Sequence, residues 1–342
     1  MATTENNTSV WLAAYLYYGE PWETLLSEAV KPFAETILKE GLAEQYFFIR
    51  YWERGPHIRL RFKGDPKVLE ETVKPRLQSH FEDWMKANPS ERREPENMPA
   101  EHAWYPNNSV QFVEYEPETD RYGGPHGLVV SEAHFQDASD AILAIIGEAE
   151  EWDYSRALGA AIQLHLGFLI GLSMDFKESK AFFNRVSRGW LPRAFMHYGE
   201  ELPEEEVKRR KEETEEAFEK NFQEQQEALV PFFETVWEAL QEGQEFEQQW
   251  LNDWVSNVAR TRRELVALQE KDQLIVPPYL VQYGRHKEEG FADDAVARWT
   301  IYESYVHMVN NRLGVMNQDE AYLGYLIRRS FETIERAAST EK

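Results

Sequence analysis

The chain has 342 residues, no cysteine and a formal net charge of −24 at pH 7, from 37 Lys+Arg against 61 Asp+Glu. Its 42% of hydrophobic residues and 13% of aromatics are enough for a large core, which excludes a disordered chain. Without cysteine the protein has no disulfide, no thiolate nucleophile and no Cys-ligated zinc. The acidic balance disfavours nucleic acid as the main partner, because phosphate binding needs a cationic face.

The sequence carries no signal for export or membrane insertion. Residues 1–21 lack the basic start and the long apolar run of a signal peptide. No stretch approaches the ~20 consecutive apolar residues that a membrane-spanning helix needs. We therefore expect a cytoplasmic protein with no membrane partner. The length, at a prior of ~150 residues per domain, allows one large domain or two small ones.

The first part of the chain predicts strands and helices together. Residues 10–19 are rich in strand formers, residues 21–41 carry apolar side chains at helical spacing, and residues 47–62 form one β-like segment. The further predicted elements are a helix from Pro66 to Met85, a loop over 86–108, a strand over 109–118 and a helix over 135–149. This order predicts an α+β fold that begins with a small α/β sandwich of antiparallel-type strands.

From about Tyr154 the chain is predicted to be mostly α-helical. Pro231 predicts a kink or break in the longest of these helices. The predicted helices cover residues 154–174, 202–241, 246–274, 297–314 and 318–338. We therefore divide the chain into an α/β part (1–150) and a helical part (151–342), and we expect the two parts to form one compact catalytic unit.

The stretch "FFIRYWERGPHIRLRF" (residues 47–62) places cations at alternating positions in an acidic protein. In a strand His57, Arg59 and Arg61 project from one face, while the apolar residues between them project from the other. A buried charge without a partner is unfavourable, so three interpretations stay open. The cations pair with nearby carboxylates, or they line an exposed face without a role, or two guanidiniums hold a ligand carboxylate with bidentate geometry.

The nine histidines show no metal-binding pattern. They contain no Glu-x-x-His or His-x-x-x-His pair, so we expect no metal site. His165 lies inside an apolar helix and is interpreted as a core histidine, which is also the interpretation of His307 when residue type alone is considered. The sequence contains neither a phosphate-binding G-x-x-x-x-G-K-S/T loop nor G-x-G-x-x-G, so no nucleotide cofactor is expected.

Three stretches, in order, resemble one family. Residues 47–62 resemble the F-I-R-Y-x-x-x-x-x-H-x-R-x-R motif of the C-terminal elimination region of lantibiotic dehydratases, a group that includes thiopeptide-type bacteriocin biosynthesis proteins. "YEPETDRYGGPHGL" (115–128) is similar to its Y-x-R-E-x-x-R-Y-G-G segment, and "YVHMVNNRLG" (305–314) to its H-M-x-x-N-R-L helix. The resemblance runs from Trp11 to about Arg329. Pro117 stands where the family has its first arginine of the second motif, so an anion contact is lost or moved there.

The resemblance implies a reaction on a ribosomally made peptide. Full-length members transfer glutamate from glutamyl-tRNA to Ser or Thr of a precursor peptide, and their C-terminal domain then expels it to leave dehydroalanine or dehydrobutyrine. A chain of 342 residues is expected to be a stand-alone elimination subunit, a lyase without a cofactor. Its implied partners are the glutamylated precursor peptide and a separate tRNA-dependent glutamylation subunit, with no direct contact to nucleic acid. The oligomeric state is left open, with a homodimer among the options.

The resemblance also implies roles for particular residues. Arg59 and Arg61 are expected to hold the anionic groups of the substrate and of the reaction, Arg121 to close the pocket, and His307 to act as general acid. These four side chains are expected to converge in one cleft. The remaining residues assigned to substrate binding are His57, Arg50, Tyr122, Gly123, Gly124, Asn311 and Arg312. Among these, Arg50 is also interpreted as a structural ion-pair partner, and the two glycines are expected to admit close backbone approach of the substrate.

Two other functions stay open at this point. Relatives of similar length form the central pyridine of thiopeptides by a formal [4+2] cycloaddition of two dehydroalanines. A non-catalytic subunit that holds the peptide for a separate glutamylation protein is the third interpretation. The retained set of Arg59, Arg61, Arg121 and His307 favours elimination. Pro117, in place of a family arginine, weakens this argument.

Overall fold

The computed structural model describes residues 9–96, 99–197, 199–277 and 291–340. The chain divides into two compact units. The first contains the chain up to Pro117 together with Glu132–Trp152, and the second contains Glu118–Ser131 and the chain from Asp153 onward.

The first unit is built on a four-stranded antiparallel sheet of order β2-β3-β1-β4. Its strands are β1 (Val10–Tyr17), β2 (Gln45–Tyr51), β3 (His57–Gly64) and β4 (Ser109–Phe112). The sheet and the helical remainder of the chain confirm the predicted α+β class. Strand β4 ends at Phe112, well before the predicted end at residue 118.

The arginine-bearing segment is a hairpin and not the single β-like segment that the sequence predicted. A turn over residues 52–56 separates β2 from β3, and within it Gly55 has φ 108°. This backbone conformation is open to glycine and strained for other residues, and Pro56 follows it. The consequence is that Arg50 belongs to a different strand from Arg59 and Arg61.

Two helices cover one face of this sheet. Helix α1 consists of Glu23–Leu25, a π-helical turn at Leu26–Val30 and Lys31–Lys39, and helix α2 consists of Pro66–Val68, a π-helical turn at Leu69–Val73 and Lys74–Ala87. The apolar residues of β3 that alternate with its cations, Ile58, Leu60 and Phe62, are fully buried. Phe33 of α1 meets Phe62 edge-to-face at 5.7 Å. The alternation predicted for this strand therefore holds on its apolar side.

The second unit and the helix shared by both units are helical throughout their regular structure. The helices are α3 (Gly124–Glu148), α4 (Tyr154–Gly171), α5 (Phe176–Phe195), α6 (Glu204–Gln241), α7 (Gln249–Gln269), α8 (Asp293–Leu313) and α9 (Asn317–Thr340). None of the helices in the described ranges is long and apolar enough to cross a bilayer.

The helices differ from the prediction in a shifted start, an additional helix and an absent break. Helix α3 begins at Gly124 rather than at residue 135, because Pro125 is well suited to a first helical turn although Gly-Gly-Pro is typical of a loop. Helix α5 was not predicted as a separate element, and its start is fixed by a capping box of Asp175 and Glu178. Helix α6 continues through Pro231 without a break. The carbonyl that Pro231 leaves without a helical donor belongs to exposed Glu227, where water can bind it.

Candidate functional site

Strand β3 presents its cations among aromatic rings contributed by neighbouring strands. The register places Tyr15 of β1 opposite Arg59. The Arg59 guanidinium lies 3.4 Å from the centre of the Tyr51 ring and 4.6 Å from that of Tyr15. These cation–π contacts hold the planar guanidinium in a defined position on this face of the sheet.

His57 orients Arg59 and is itself uncharged near neutral pH. Its Nδ1 lies 2.8 Å from the carbonyl oxygen of Gly55, which can only accept, so Nδ1 carries the proton. Its Nε2 then accepts a hydrogen bond of 3.1 Å from Nε of Arg59. Burial of the ring lowers the pKa of His57 to about 4. The side chain assigned to substrate binding is therefore a buried acceptor that positions an arginine.

Two cations on this face, Arg59 and Lys63, are paired with carboxylates. Nη2 of Arg59 lies 3.2 Å from Glu53, whose side chain is exposed. Nζ of Lys63 lies 3.1 Å from buried Glu132, within the same unit. The ion-pair interpretation therefore accounts for these two residues.

Arg61 is different because its charge is buried without a carboxylate. Its side chain sits between the rings of Phe47 and Tyr115, at 5.1 and 4.5 Å from the ring centres, and the residue is 7% exposed. Among the residues that the structure describes, no Asp or Glu forms a salt bridge with it, and its Nε has no hydrogen-bond partner. Burial lowers the pKa of its guanidinium. A buried cation with an unused donor is a natural position for the anion of a ligand.

Arg50 lies on the opposite face of the sheet from Arg59 and Arg61. Its register partner is Ile58, and its Nη1 forms a 2.9 Å ion pair with Glu23 of α1. The residue is 4% exposed. The geometry shows an ion pair on the helix-covered face, as in the structural interpretation of Arg50, and its assignment to substrate binding stays an untested prediction.

In the second unit, Arg121 is held at the end of a short 3₁₀ turn, Thr119–Tyr122. Its Nε donates to Oγ of Ser304 at 3.0 Å, and its Nη1 lies 3.6 Å from Glu118, which is exposed. The Arg121 side chain is 38% exposed. Tyr122, by contrast, is buried and stacks on Tyr305, so its ring is part of the core of this unit.

The space beside Gly123 and Gly124 is filled by the chain itself. Both residues have left-handed backbone, with φ 84° and 82°. A Cβ on Gly123 would lie 2.5 Å from Leu274, and one on Gly124 would lie 3.1 Å from Ile275. The close approach that the sequence assigned to a substrate is made here by Leu274 and Ile275.

Replacement of Gly123 by alanine is expected to lower the free energy of unfolding by about 2–3 kcal/mol. The left-handed backbone accounts for about 1–2 kcal/mol and the contact with Leu274 for about 1 kcal/mol more. Gly41 is a matched control, since it has φ 67° with nothing within 4 Å of a Cβ. Chemical denaturation of Gly123→Ala and Gly41→Ala checks this, and equal losses in the two variants would contradict the packing part of the prediction.

His307 forms a dyad with Glu320, a residue that the sequence analysis missed. Its Nδ1 lies 2.7 Å from Oε1 of Glu320, and no described residue forms a hydrogen bond with its Nε2. The imidazole stacks on Trp190 with ring centres 4.5 Å apart. Its side chain is 19% exposed while that of Glu320 is fully buried. The carboxylate fixes one ring nitrogen, and the other is the one available for proton transfer.

Glu320 is held in turn by Asn310 and, through it, by His165. Nδ2 of Asn310 donates to Oε2 of Glu320 at 3.1 Å, and its Oδ1 lies 2.8 Å from Nε2 of His165. All three residues are buried, which confirms His165 as a core histidine. The neighbouring Asn311 and Arg312 are the residues of this helix that the sequence assigns to substrate binding. Arg312 is fully buried and donates to the carbonyl of Met308 at 2.9 Å, which is a structural contact.

The position of Glu320 in the sequence gives no indication of a functional role. It lies in the first turn of α9, where an acidic residue is expected simply because it complements the helix dipole. Its burial shows a different role. Within the described ranges, no group of three or more His, Asp or Glu residues is arranged to hold a metal ion.

The two buried histidines predict acid sensitivity of the fold. Burial lowers the pKa of both His57 and His165 to about 4, below the ordinary value of 6.5. The unfolded chain therefore binds more protons in this interval, so the free energy of unfolding falls as the pH falls from 6.5 towards 4, by about 2 kcal/mol per histidine at about pH 5. Denaturation of His57→Phe at about pH 7 and pH 5 should show a pH-dependent loss smaller than that of the unsubstituted protein by about 2 kcal/mol. The same loss in both proteins would contradict the prediction.

Comparison with known proteins places the chain in a biosynthetic family whose members act on peptides. Residues 11–331 match the family described as "Lantibiotic biosynthesis dehydratase C-term", and the chain belongs to it. It is 26% identical over 180 residues to the subtilin biosynthesis protein SpaB of Bacillus subtilis. That match covers 52% of this chain and 16% of SpaB, so the chain spans a small part of this relative's length.

Three solved structures share the fold over nearly all of this chain. The pyridine synthase TbtD from thiomuracin biosynthesis has a TM-score of 0.71 at 16% identity, with 95% of this chain and 98% of TbtD covered. TsrL has a TM-score of 0.66 at 18% identity, with 95% of each chain covered. The tRNA-dependent lantibiotic dehydratase MibB from Microbispora sp. 107891 has a TM-score of 0.56 at 17% identity, with 98% of this chain and 29% of MibB covered. At these identities the similarity shows the fold alone.

Proposed function

We propose that the protein removes glutamate from glutamylated Ser or Thr residues of a precursor peptide and leaves dehydroalanine or dehydrobutyrine. The observation that carries this proposal is Arg61, a buried guanidinium that lacks a carboxylate partner among the described residues. A glutamyl ester brings its own α-carboxylate, which is an anion of the right size and geometry for a guanidinium. Membership of the dehydratase family supports this reaction class.

The arginines are assigned to bind the negative charge of the substrate and to stabilise the charge that develops in the reaction. Arg61 binds the α-carboxylate of the glutamyl group in its aromatic frame of Phe47 and Tyr115. Arg59, held in place by His57, supplies a preorganised positive charge for the enolate-like oxygen that develops when the α-proton leaves. Its ion pair with exposed Glu53 is open to exchange, because an exposed carboxylate contributes little to such a pair. Arg121, partly exposed, is assigned to an anionic group of the substrate.

His307 is assigned the proton transfer. In its neutral form Nε2 takes the Cα proton of the esterified residue, the Cα–H electrons form the Cα=Cβ bond, and the Cβ–O bond breaks. The imidazolium, stabilised by Glu320 and by the face of Trp190, then gives the proton to the departing γ-carboxylate. The products are the dehydro residue and glutamic acid, so the proton is returned and the histidine is ready for the next turnover.

The proposal requires that another protein supply the glutamylated peptide. We propose a separate tRNA-dependent glutamylation subunit as the source. The acidic chain, at −24, fits a subunit that itself binds no tRNA.

The test is incubation of the purified protein with a glutamylated precursor peptide, followed by mass analysis. Loss of the mass of glutamic acid at each modified position is the expected result. Inertness towards glutamylated peptides of several sequences, with the protein folded, would contradict the proposed elimination and would support a peptide-holding subunit.

A second candidate is formation of a pyridine from two dehydroalanines by formal [4+2] cycloaddition. The observation that favours it is the extent of the fold match, which covers 98% of the pyridine synthase TbtD but 29% of the dehydratase MibB. The same mass experiment separates the two candidates if a peptide with two dehydroalanines is included. A macrocycle with expelled leader peptide would indicate the cycloaddition.

A further inference from the structure

We propose that Asn310 and His165 are positioning residues that hold the Glu320–His307 dyad in one hydrogen-bonded arrangement, with the proton of His307 on Nδ1. The inference rests on the proposed role of His307 as the group that transfers the proton. It assigns a function to His165, which would otherwise be only a core residue.

The direction of each hydrogen bond in the series Glu320–Asn310–His165 follows from the groups that form it. An amide NH₂ group can only donate, so Nδ2 of Asn310 donates to Oε2 of Glu320. Oδ1 of Asn310 is then an acceptor, and Nε2 of His165 must carry a proton to donate to it across 2.8 Å. Burial keeps His165 neutral, which leaves a single ring proton for this bond.

The arrangement reaches His307 through the second carboxylate oxygen. Oε2 of Glu320 is engaged by Asn310, so Oε1 is directed at Nδ1 of His307 at 2.7 Å. A proton on Nδ1 leaves Nε2 with a free lone pair. If Asn310 no longer held Oε2, the buried carboxylate would lose a donor and could rotate, and His307 could adopt the other tautomer. An acid that orients a catalytic histidine acts in this way, by selecting its tautomer.

The decisive variants change His165. His165→Phe keeps a ring beside Phe183, which lies 5.6 Å away between ring centres, but removes the donor. His165→Gln replaces the donor with an amide N–H. We expect kcat for glutamate release to fall about fivefold to tenfold in His165→Phe with KM unchanged, as for the loss of one buried hydrogen bond, and to recover in His165→Gln. Asn310→Ala is a second route to the same loss.

A readout that does not depend on activity is the ¹⁵N spectrum of the His307 ring in the free protein. Protonated and unprotonated ring nitrogens have well-separated ¹⁵N shifts, and a titration of the ring identifies the pH range in which it is neutral. In that range we expect Nδ1 protonated and Nε2 unprotonated in the unsubstituted protein and in His165→Gln. His165→Phe and Asn310→Ala are expected to shift both nitrogens towards a mixture of tautomers.

The outcomes separate this inference from the proposed function. If unsubstituted His307 carries its proton on Nε2, or if folded His165→Phe and Asn310→Ala keep both its ¹⁵N shifts and its rate, the inference is overturned. If His165→Phe does not fold, the tautomer of the unsubstituted protein and the spectra of His165→Gln and Asn310→Ala decide it. If no peptide loses glutamate while the tautomer pattern is as expected, the proposed function fails and the positioning of His307 stands.

Discussion

Replacement of Arg61 by methionine is expected to stop glutamate release and at the same time to stabilise the fold. Arg61 is 7% exposed and has no carboxylate partner among the described residues, so its charge is desolvated with only the rings of Phe47 and Tyr115 and a hydrogen bond with Tyr15 to offset the cost. A methionine fills a similar volume between Phe47 and Tyr115 without that charge. Removal of one preorganised donor is expected to lower kcat/KM about 10²–10³-fold. The free energy of unfolding is expected to rise by about 1–4 kcal/mol, as when buried ionic groups are replaced by apolar ones.

Arg50 provides the matched control, because it is equally buried but paired. Arg50→Met leaves Glu23, whose side chain is 18% exposed, without its ion-pair partner on the other face of the sheet. The free energy of unfolding is expected to fall by about 3–5 kcal/mol. Urea denaturation of both variants measures whether the free energy of unfolding rises in Arg61→Met and falls in Arg50→Met. An Arg61→Met protein that is less stable and fully active would refute the assignment of Arg61 to a ligand anion.

Replacement of His307 by glutamine is expected to lower kcat by about 10²–10⁴, because proton transfer to and from the substrate is lost. Glutamine keeps a polar side chain against Trp190 and Glu320 but cannot carry a proton near neutral pH. Glutamylated peptide should accumulate, and mass analysis of a timed reaction measures it. The affinity for the peptide should change little, since the assigned contact is to the reacting atoms.

His197 is a suitable control for that experiment. It is exposed and belongs to the same unit as His307, so His197→Ala is expected to retain the full rate. If His307→Gln turns over as fast as His197→Ala, another group transfers the proton and the assignment of His307 is wrong.

The part of the candidate site that the sequence predicted is the part set by local periodicity. In a strand every second residue shares a face, so the spacing of His57, Arg59 and Arg61 determined their common side before any fold was known. The same rule already separated Arg50, which lies an odd number of residues from His57, Arg59 and Arg61; what the alternation did not reveal is the turn at Gly55 that puts Arg50 in a different strand. The Gly-Pro pair was available as a signal for that turn.

The part that could not be predicted depends on packing between helices. Glu320 and Asn310 meet His307 and His165 because α4, α8 and α9 pack together, and no pattern within one helix reveals such contacts. Asn310 is a neighbour of the two residues that the sequence favoured, Asn311 and Arg312. One residue along a helix turns a side chain by about 100°, so this difference decides which one faces the dyad.

The most direct test of the central claim, that Arg61 holds the carboxylate of the departing glutamate, removes that carboxylate from the substrate. Single-turnover rates are measured for a peptide that carries the glutamyl ester and for one in which its α-carboxylate is a carboxamide. The unsubstituted protein should prefer the carboxylate substrate about 10²-fold or more, and Arg61→Met should show almost no preference. An undiminished preference in Arg61→Met would contradict the account.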